Sequence, residues 1–358
     1  MTTTRPRDYI VPPDLQGRAD RDRLWGVIRY AAAIYSGVAR LGQHPPVQPV
    51  DRDLHVVIER KERVADGAVS LRLVAADGGP LPRWRPGCHL DVLLPSGRLR
   101  QYSLCGDPTD RSAYRIAVRR IEDGGGGSLE VHDTLRKGDE LRVRGPRNAF
   151  PFLRSSRYLF IAGGIGITPI LPMVRTAQLR GADWRLVYTG RTRDSLPFLD
   201  ELHALCRGRV RVRADDEHGG LPDPADLLAG TPPDATVYCC GPPPLIEGVH
   251  RLLPVDRPFH YERFSPPPIV DGTPFEVELR GSGRVLPVPA DRTALEVVRE
   301  VLPDVAYSCQ QGFCGTCRVR VLAGVVDHRD HVLTDDERAE EMTICVSRSR
   351  GGRIVLDL

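Results

Sequence analysis

The spacing of apolar and polar residues changes character along the chain. From Asp20 to Leu41, Leu24, Ile28, Ala31, Ala32, Tyr35 and Val38 recur at helical intervals with arginines between them. This predicts one amphipathic helix, closed by Gly42 and Pro45-Pro46. Such a helix can pack on the body of the protein, or lie on an acidic partner or membrane surface, to which Arg21, Arg23, Arg29 and Arg40 are suited. From Asp51 to about Leu153 the pattern becomes short alternating runs: LHVVIER, VSLRLVA, HLDVLLP, LRQYSL, YRIAVRR and LRVRG. Gly, Pro and Asp turns separate them, as in a small antiparallel β-barrel. A single helix is expected at Ser128–Leu135, after the glycine run Gly124–Gly127.

The period then lengthens. RYLFIAGG, WRLVYTG, RVRVRA and TVYCCG read as buried strands, and TPILPMVRTAQL, SLPFLDELHAL and PPLIEGVHRLL as helices. Thr168 is expected to open the first helix, with Pro169 in its first turn. Alternating strands and helices define a doubly wound parallel sheet. SPPPIVDGTP is a proline-stiffened linker. After it come a hairpin, FEVELRGSGRVLPV, a helix capped by the Thr293/Glu296 box, a second box at Thr334/Glu337, and a closing strand, RIVLDL. The expected organisation is multidomain: an N-terminal extension (1–50), a barrel (51–153), an α/β doubly wound nucleotide domain (154–264), a linker (265–274) and an α+β domain (275–358). There are no internal repeats.

With 41% hydrophobic and 27% charged residues among 358, the composition is that of ordinary globular domains, and a net charge of +3 argues against nucleic acid as a partner. The basic residues are almost all arginine, Lys61 and Lys137 being the only lysines. The first residues, MTTTRPRDYIVPPD, carry charge without a following apolar core, so no secretory signal is expected. No apolar run is long enough for a spanning helix. Nine cysteines in that context suggest metal ligation in a reducing compartment, the cytoplasm.

Four of those cysteines carry the strongest chemical signal. Tyr307 to Arg318, YSCQQGFCGTCR, places Cys309, Cys314 and Cys317 at C-x4-C-x2-C spacing, with Cys345 far downstream. This is the plant-type ligand order for a [2Fe–2S] cluster. Gly312, Gly315 and Thr316 let backbone N–H groups approach the sulfurs. Zinc sites favour paired C-x2-C units, and disulfides favour secreted chains, so both are weaker readings. Cys88, Cys105 and Cys206 lack partners at ligand spacing. His328 and His331 suggest a surface turn rather than a second metal site.

The barrel carries Arg100-Gln101-Tyr102-Ser103-Leu104 and, further on, Gly127-Ser128. A flavin needs a cation and a hydroxyl at its phosphate, an aromatic ring beside it and a hydrogen-bond partner near N5. Arg100, Ser128, Tyr102 and Ser103 match these needs in turn. Where a strand meets a helix, Gly163-Gly164-Ile165-Gly166-Ile167-Thr168-Pro169 can hold a pyrophosphate on backbone N–H groups. Pro169 replaces the third glycine of the dehydrogenase fingerprint, and Thr189-Gly190-Arg191-Thr192-Arg193 stands where a ribose-binding carboxylate would be. Those arginines can pair with a 2′-phosphate or cover the adenosine, which leaves NADH and NADPH both open. Of Cys239 and Cys240, one is expected to be buried and Cys240 to face the nicotinamide. Phe264, in Tyr261-Glu262-Arg263-Phe264, is expected to cover the flavin ring.

RQYSLCGDP, GGGGS, AGGIGITPI, YCCGPPPLI, YERF and the cysteine run through VDHRDHVL, ICVSR and IVLDL occur in this order. Over about residues 51–358 the chain resembles the phthalate dioxygenase reductase family, which includes vanillate demethylase reductases. The resemblance implies an FMN barrel, a ferredoxin-reductase-type NADH domain and a β-grasp plant-type ferredoxin, and FMN rather than FAD. By the same resemblance, Arg100, Tyr102, Ser103, Gly127, Ser128 and Phe264 belong to the flavin site. Gly164, Gly166, Thr168 and Cys240 belong to the nicotinamide-nucleotide site, Ser103 and Cys240 being nearest the reacting atoms. Cys309, Cys314, Cys317 and Cys345 are the implied ligands. The implied function is the reductase component of a two-component oxygenase system, a monomer feeding single electrons to a Rieske non-haem iron oxygenase or a cytochrome P450. The rival readings are an electron-transfer subunit of another dehydrogenase complex and a redox-sensing flavo-iron–sulfur protein. The edge near Gln310–Gly315 is the expected docking point for the oxygenase.

Overall fold

A computed structural model describes residues 53–122, 125–254, 256–264, 269–307, 310–312 and 315–358. The helix expected between Asp20 and Leu41 and the three linker prolines lie outside these residues. The alternating runs form β1 (Asp53–Ala65), β2 (Ala68–Ala75), β3 (Cys88–Leu93), β4 (Leu99–Ser103) and β5 (Ala113–Arg119). Helix α1 (Gly127–Asp133) and β6 (Glu140–Asn148) follow. The strands pair antiparallel in the order β4-β3-β6-β1-β2-β5. A bridge from Leu104 back to Ile116 of β5 closes the sheet into a barrel. Every second residue points inward, so Val56, Ile58, Leu71, Leu73, Leu90, Val92, Ile116 and Val143 form one core. On β3, however, the outward residues His89 and Asp91 are also buried, at 4% and 1% exposure. Something other than the barrel must cover that face.

Helix α1 starts one residue earlier than its periodicity predicts and ends two residues sooner. Its last turn is capped by a cation from another strand: Nζ of Lys61 on β1 donates to the carbonyls of Val131, His132 and Leu135 at 2.8, 2.7 and 2.8 Å. These are the carbonyls that a helix end leaves unpaired, at the negative pole of its dipole.

The nucleotide domain runs β7 (Arg157–Gly163), α2 (Ile167–Leu179), β8 (Asp183–Gly190), α3 (Leu199–Cys206), β9 (Val210–Ala214), α4 (Pro224–Leu228), β10 (Thr236–Cys240), α5 (Pro243–Leu252) and β11 (Phe259–Glu262). All five strands are parallel, ordered β11-β10-β7-β8-β9. Thr168 does not open α2. The chain enters the helix through a 3₁₀ turn at Gly164–Gly166, and Thr168 sits in the first helical turn, its hydroxyl donating back to the Ile165 carbonyl at 3.0 Å. Helix α4 follows local rules that its shortness concealed: Asp223 accepts from the Ala225 N–H at 2.9 Å and Pro224 takes the first helical position.

The third domain contains β12 (Phe275–Leu279), β13 (Arg284–Val288), α6 (Ala294–Val301), β14 (Arg318–Ala323), β15 (Val326–Asp327), α7 (Asp335–Arg338), β16 (Glu341–Thr343), β17 (Arg348–Ser349) and β18 (Arg353–Leu356). β12 lies between its hairpin partner β13 and the parallel β18, and β14 and β16 extend the sheet beyond β18. Leu295 and Val298 of α6 pack on Phe275, Val277 and Ile354. Both capping boxes form, Thr293 with Glu296 and Thr334 with Glu337.

Lys61→Met is expected to lower the unfolding free energy by about 1–2 kcal/mol, since one charged donor serves three carbonyls from a half-exposed position. Urea denaturation followed by tryptophan fluorescence reads the change; an unaltered midpoint contradicts the capping role.

Candidate active site at the junction of three domains

Strand β4 presents the flavin candidates. Arg100 donates through Nη2 to the Gly125 carbonyl at 3.0 Å, and its side chain lies across Gly127, where a Cβ would meet Nε at 2.5 Å. The missing side chain is therefore what lets the guanidinium rest on the glycine run. A cation beside a Cβ-free backbone suits a phosphate. The Ser128 hydroxyl takes the Ile121 N–H and donates to the Ile121 carbonyl, both at 3.1 Å. It ties the glycine run down rather than standing free. Tyr102 packs against the barrel core, and burial pushes its phenol up to about 12, so it stays a neutral ring.

Ser103 pairs with His89 across the β3–β4 ladder. The His89 Nε2 is buried without a hydrogen-bond partner, and burial followed by the Arg147 charge lowers this imidazole to about 4. The ring is thus neutral. Phe264, 48% exposed just after β11, is an uncovered aromatic at the end of the nucleotide domain. An orphaned ring nitrogen, a glycine cradle with a cation and an open aromatic ring are the features a flavin would use. The residues fit that cofactor.

In the nucleotide domain the glycines of the β7–α2 turn are required by packing. A Cβ on Gly166 would meet the Cys240 carbonyl oxygen at 2.2 Å, and one on Gly163 would meet Pro242 Cδ at 2.7 Å. Gly164 has φ +54° and lies beneath Arg119 of β5, whose Nη1 is 3.5 Å from where its Cβ would be. The two arginines after β8 part company. Arg193 is held by Glu217, at 2.5 and 3.0 Å. Arg191 faces Arg119, whose guanidinium is lowered first by burial and then by the Arg191 charge. Two like charges converge beside the turn, a disposition suited to an anion.

Cys239 and Cys240 point to opposite sides of the sheet, but the split in exposure expected of them is absent. Cys239 packs with Leu159, Ile161 and Val249, and Cys240 with Phe160, Ile167 and Leu171, on the opposite side of the sheet. Both are fully buried. β10 lies between two neighbouring strands and both its faces are covered, so neither sulfur is open. Burial, then the neighbouring Glu262, holds the Cys240 thiol well above its usual range.

Glu262 is a buried carboxyl at this junction that pattern reading passed over. It pairs with Cys240 in the β10–β11 ladder, is 8% exposed, and accepts from the Ser103 hydroxyl of the barrel at 3.5 Å. Burial raises its carboxyl to about 8, against the modest lowering by Ser103. A protonated acid at neutral pH, joined to a serine on the flavin strand, can donate or pass a proton. Its only sequence signal was a carboxylate ending the otherwise uncharged run FHYE.

In the third domain Cys317 and Cys345 are 3% and 2% exposed and drawn together by the Ile344 N–H donating to the Cys317 carbonyl at 3.2 Å. Cys309 and Cys314 lie outside the described residues. Gly312 has φ +77°, and a Cβ there would strike Val346 at 2.6 Å. Its carbonyl accepts the His331 N–H at 2.8 Å. The His328–His331 segment thus packs behind the cysteine loop, with His328 engaged by the Arg338 carbonyl. Two buried thiols at this loop suit an iron–sulfur cluster. Gln311 Nε2 donates to the Arg263 carbonyl of the nucleotide domain, and Gln310 Nε2 lies 3.4 Å from Gln101 Oε1 of the barrel. Gln310, at φ +56°, turns inward, so this edge faces the flavin strand.

Together these features define a flavin- and pyridine-nucleotide-dependent reductase carrying its own ferredoxin. Residues 277–350 match the 2Fe-2S iron-sulfur cluster binding domain. Phthalate dioxygenase reductase of Burkholderia cepacia is 38% identical over 317 residues, 86% of this chain and 98% of that protein. Vanillate O-demethylase oxidoreductase of Pseudomonas sp. (strain HR199 / DSM 7063) is 40% identical over 319 residues, 85% of this chain and all of that one. A solved phthalate dioxygenase reductase, described as a modular structure for electron transfer from pyridine nucleotides to [2Fe–2S], superposes with a TM-score of 0.67 at 38% identity, covering 86% of this chain and 98% of that one. The chain belongs to the phthalate dioxygenase reductase family. It is similar as well to an intact type IV self-sufficient cytochrome P450 monooxygenase, with a TM-score of 0.71 and 38% identity, over 90% of this chain and 44% of that one.

Because the folded carboxyl of Glu262 titrates near 8 and its ordinary value is 4.5, the folded state holds a proton that the unfolded chain has released over that window. Stability therefore falls as pH rises from about 5 to 8. Glu262→Gln is expected to remove that share of the decline, seen in urea midpoints at pH 5.5 and 8.5. Parallel declines in both proteins contradict the raised value.

Proposed function

We propose that the chain is the reductase component of a two-component oxygenase system, taking electron pairs from NADH and delivering single electrons to a Rieske-type oxygenase or a cytochrome P450. FMN, when bound, supplies the conversion, accepting hydride from the nicotinamide and releasing electrons one at a time to the [2Fe–2S] cluster. Arg100 and the Gly125–Gly127 run would hold the flavin phosphate, Tyr102 and Phe264 the ring system, and Ser103 the edge near N5. Arg119, Arg191 and the Gly163–Gly166 turn would hold the dinucleotide phosphates, with Thr168 and Cys240 behind them. Glu262 holds a proton beside Ser103 and keeps both side chains oriented. Cys309, Cys314, Cys317 and Cys345 would hold the cluster.

One observation carries this reading. The nucleotide domain touches the flavin strand at Ser103 through Glu262, and the cysteine loop approaches the same strand at Gln101 through Gln310. A donor site and an acceptor site thus sit on one short strand between them, as a donor–flavin–cluster sequence requires. Relatives named as the reductase subunits of phthalate 4,5-dioxygenase, tert-butanol monooxygenase and carnitine monooxygenase support an oxygenase as the acceptor. The protein acts as a monomer in the cytoplasm. Among the described residues no helix is long and apolar enough to cross a membrane.

Cys345→Ser is expected to abolish the cluster absorbance and cytochrome c reduction while flavin bleaching by NADH persists. Loss of flavin bleaching in a folded variant contradicts the modular path, and rapid cytochrome c reduction by the unmutated protein excludes a sensor without turnover. For the coenzyme, kcat/KM is expected to favour NADH, and Arg191→Ala to reduce the residual NADPH activity more than the NADH activity. A strong NADPH preference in the unmutated protein overturns this assignment.

A further inference from the structure

The outward face of β3 carries a buried carboxylate that the binding of flavin, nucleotide or cluster does not require. Asp91, 1% exposed, accepts through Oδ1 from Gln101 Nε2 at 2.9 Å, across the β3–β4 ladder. Its Oδ2 accepts the Tyr307 hydroxyl of the ferredoxin domain at 3.2 Å and forms an ion pair with Arg147 of β6. Arg147 also reaches across, donating through Nη1 to the Tyr307 carbonyl at 3.2 Å. Its guanidinium lies 5.2 Å from the Tyr307 ring centre, and that of Arg299, from α6, lies 4.1 Å from it. Nearer the rim, Arg144 of β6 meets Asp304 at 3.2 Å.

Position gives this cluster its meaning. Tyr307 precedes the cluster residue Cys309 by two positions, and Gln310 follows it by one. Gln101, the barrel's contact for both Asp91 and Gln310, lies between Arg100 and Tyr102. A polar network of this density is costly to bury unless every member finds its partner, and here one essential donor, the Tyr307 hydroxyl, comes from another domain. The Tyr307 hydroxyl reaches Asp91 and its carbonyl reaches Arg147 together in this one docked arrangement, unlike an apolar contact that tolerates sliding.

We propose that Asp91, Arg147 and Tyr307 form a latch: positioning residues that hold the cluster-bearing loop against the flavin strand and thereby set the rate of the flavin-to-cluster step. The latch rests on the electron path assigned above. It contributes nothing to hydride transfer, so its loss separates the two halves of the reaction.

The test uses the holoprotein with NADH and two acceptors, ferricyanide for electrons leaving at the flavin and cytochrome c for those passing through the cluster. Hydrogen exchange of residues 299–307 is measured alongside. Tyr307→Phe keeps the ring and removes only the hydroxyl; Asp91→Asn, which takes the carboxylate from Arg147, is the harsher companion. In Tyr307→Phe cytochrome c reduction is expected to fall roughly tenfold, the equivalent of one buried hydrogen bond. Ferricyanide reduction should stay within about twofold of the unmutated rate, and exchange at 299–307 should accelerate. Unchanged cytochrome c rates and unchanged exchange in both variants overturn the latch. Equal losses with both acceptors also overturn it, by placing these residues in support of the flavin site. An unmutated protein that reduces neither acceptor defeats the electron path itself, while the exchange comparison still decides whether the latch holds the domains.

Discussion

One short face constrains the whole arrangement: the outer side of the β3–β4 ladder, where His89 lies opposite Ser103 and Asp91 opposite Gln101. A barrel strand normally turns such residues to water. Here they are covered, Ser103 by Glu262 of the nucleotide domain and Asp91 by Tyr307 of the ferredoxin domain. Reacting groups must be held in near-contact geometry, and a loss of about 1 Å can cost two orders of magnitude in rate. Two domains closing on adjacent rungs of one rigid ladder provide that geometry without a long lever of flexible loop.

The two buried carboxylates on this face are treated oppositely. Asp91 is given a cation, Arg147, together with two further donors, and so can remain an ion in an enclosed place. Glu262 accepts from a serine hydroxyl, and burial raises its carboxyl to about 8. The first environment holds a domain in place. The second holds a proton beside Ser103. The ionisable group is a carboxyl in both cases, and the surroundings differ.

Features with a local cause were legible in the sequence. Cysteine spacing, the two capping boxes and the alternation of the barrel strands depend on neighbours a few positions apart, and the structure contains them. The glycine turn Gly163–Gly166 was also legible, although half its reason, the approach of the Cys240 carbonyl to Gly166, is a packing matter. What escaped depends on contacts between distant segments. Lys61 caps a helix some seventy positions away, at |i−j| of 70, 71 and 74. Ser128 bonds to the backbone of Ile121. Gln310, with a left-handed backbone, turns toward Gln101 of the barrel. Glu262 sits in a four-residue strand with no period to betray it. None of these has a sequence spacing that announces it.

The central claim is an order of events: electrons reach the cluster only by way of the flavin held on β4. Anaerobic stopped-flow mixing of the holoprotein with NADH, recorded at flavin and cluster wavelengths, tests it most directly. The account predicts that flavin bleaching comes first and that cluster reduction follows with a lag. Cluster reduction without prior flavin bleaching, or a fully reduced flavin beside a cluster that stays oxidised, would contradict it.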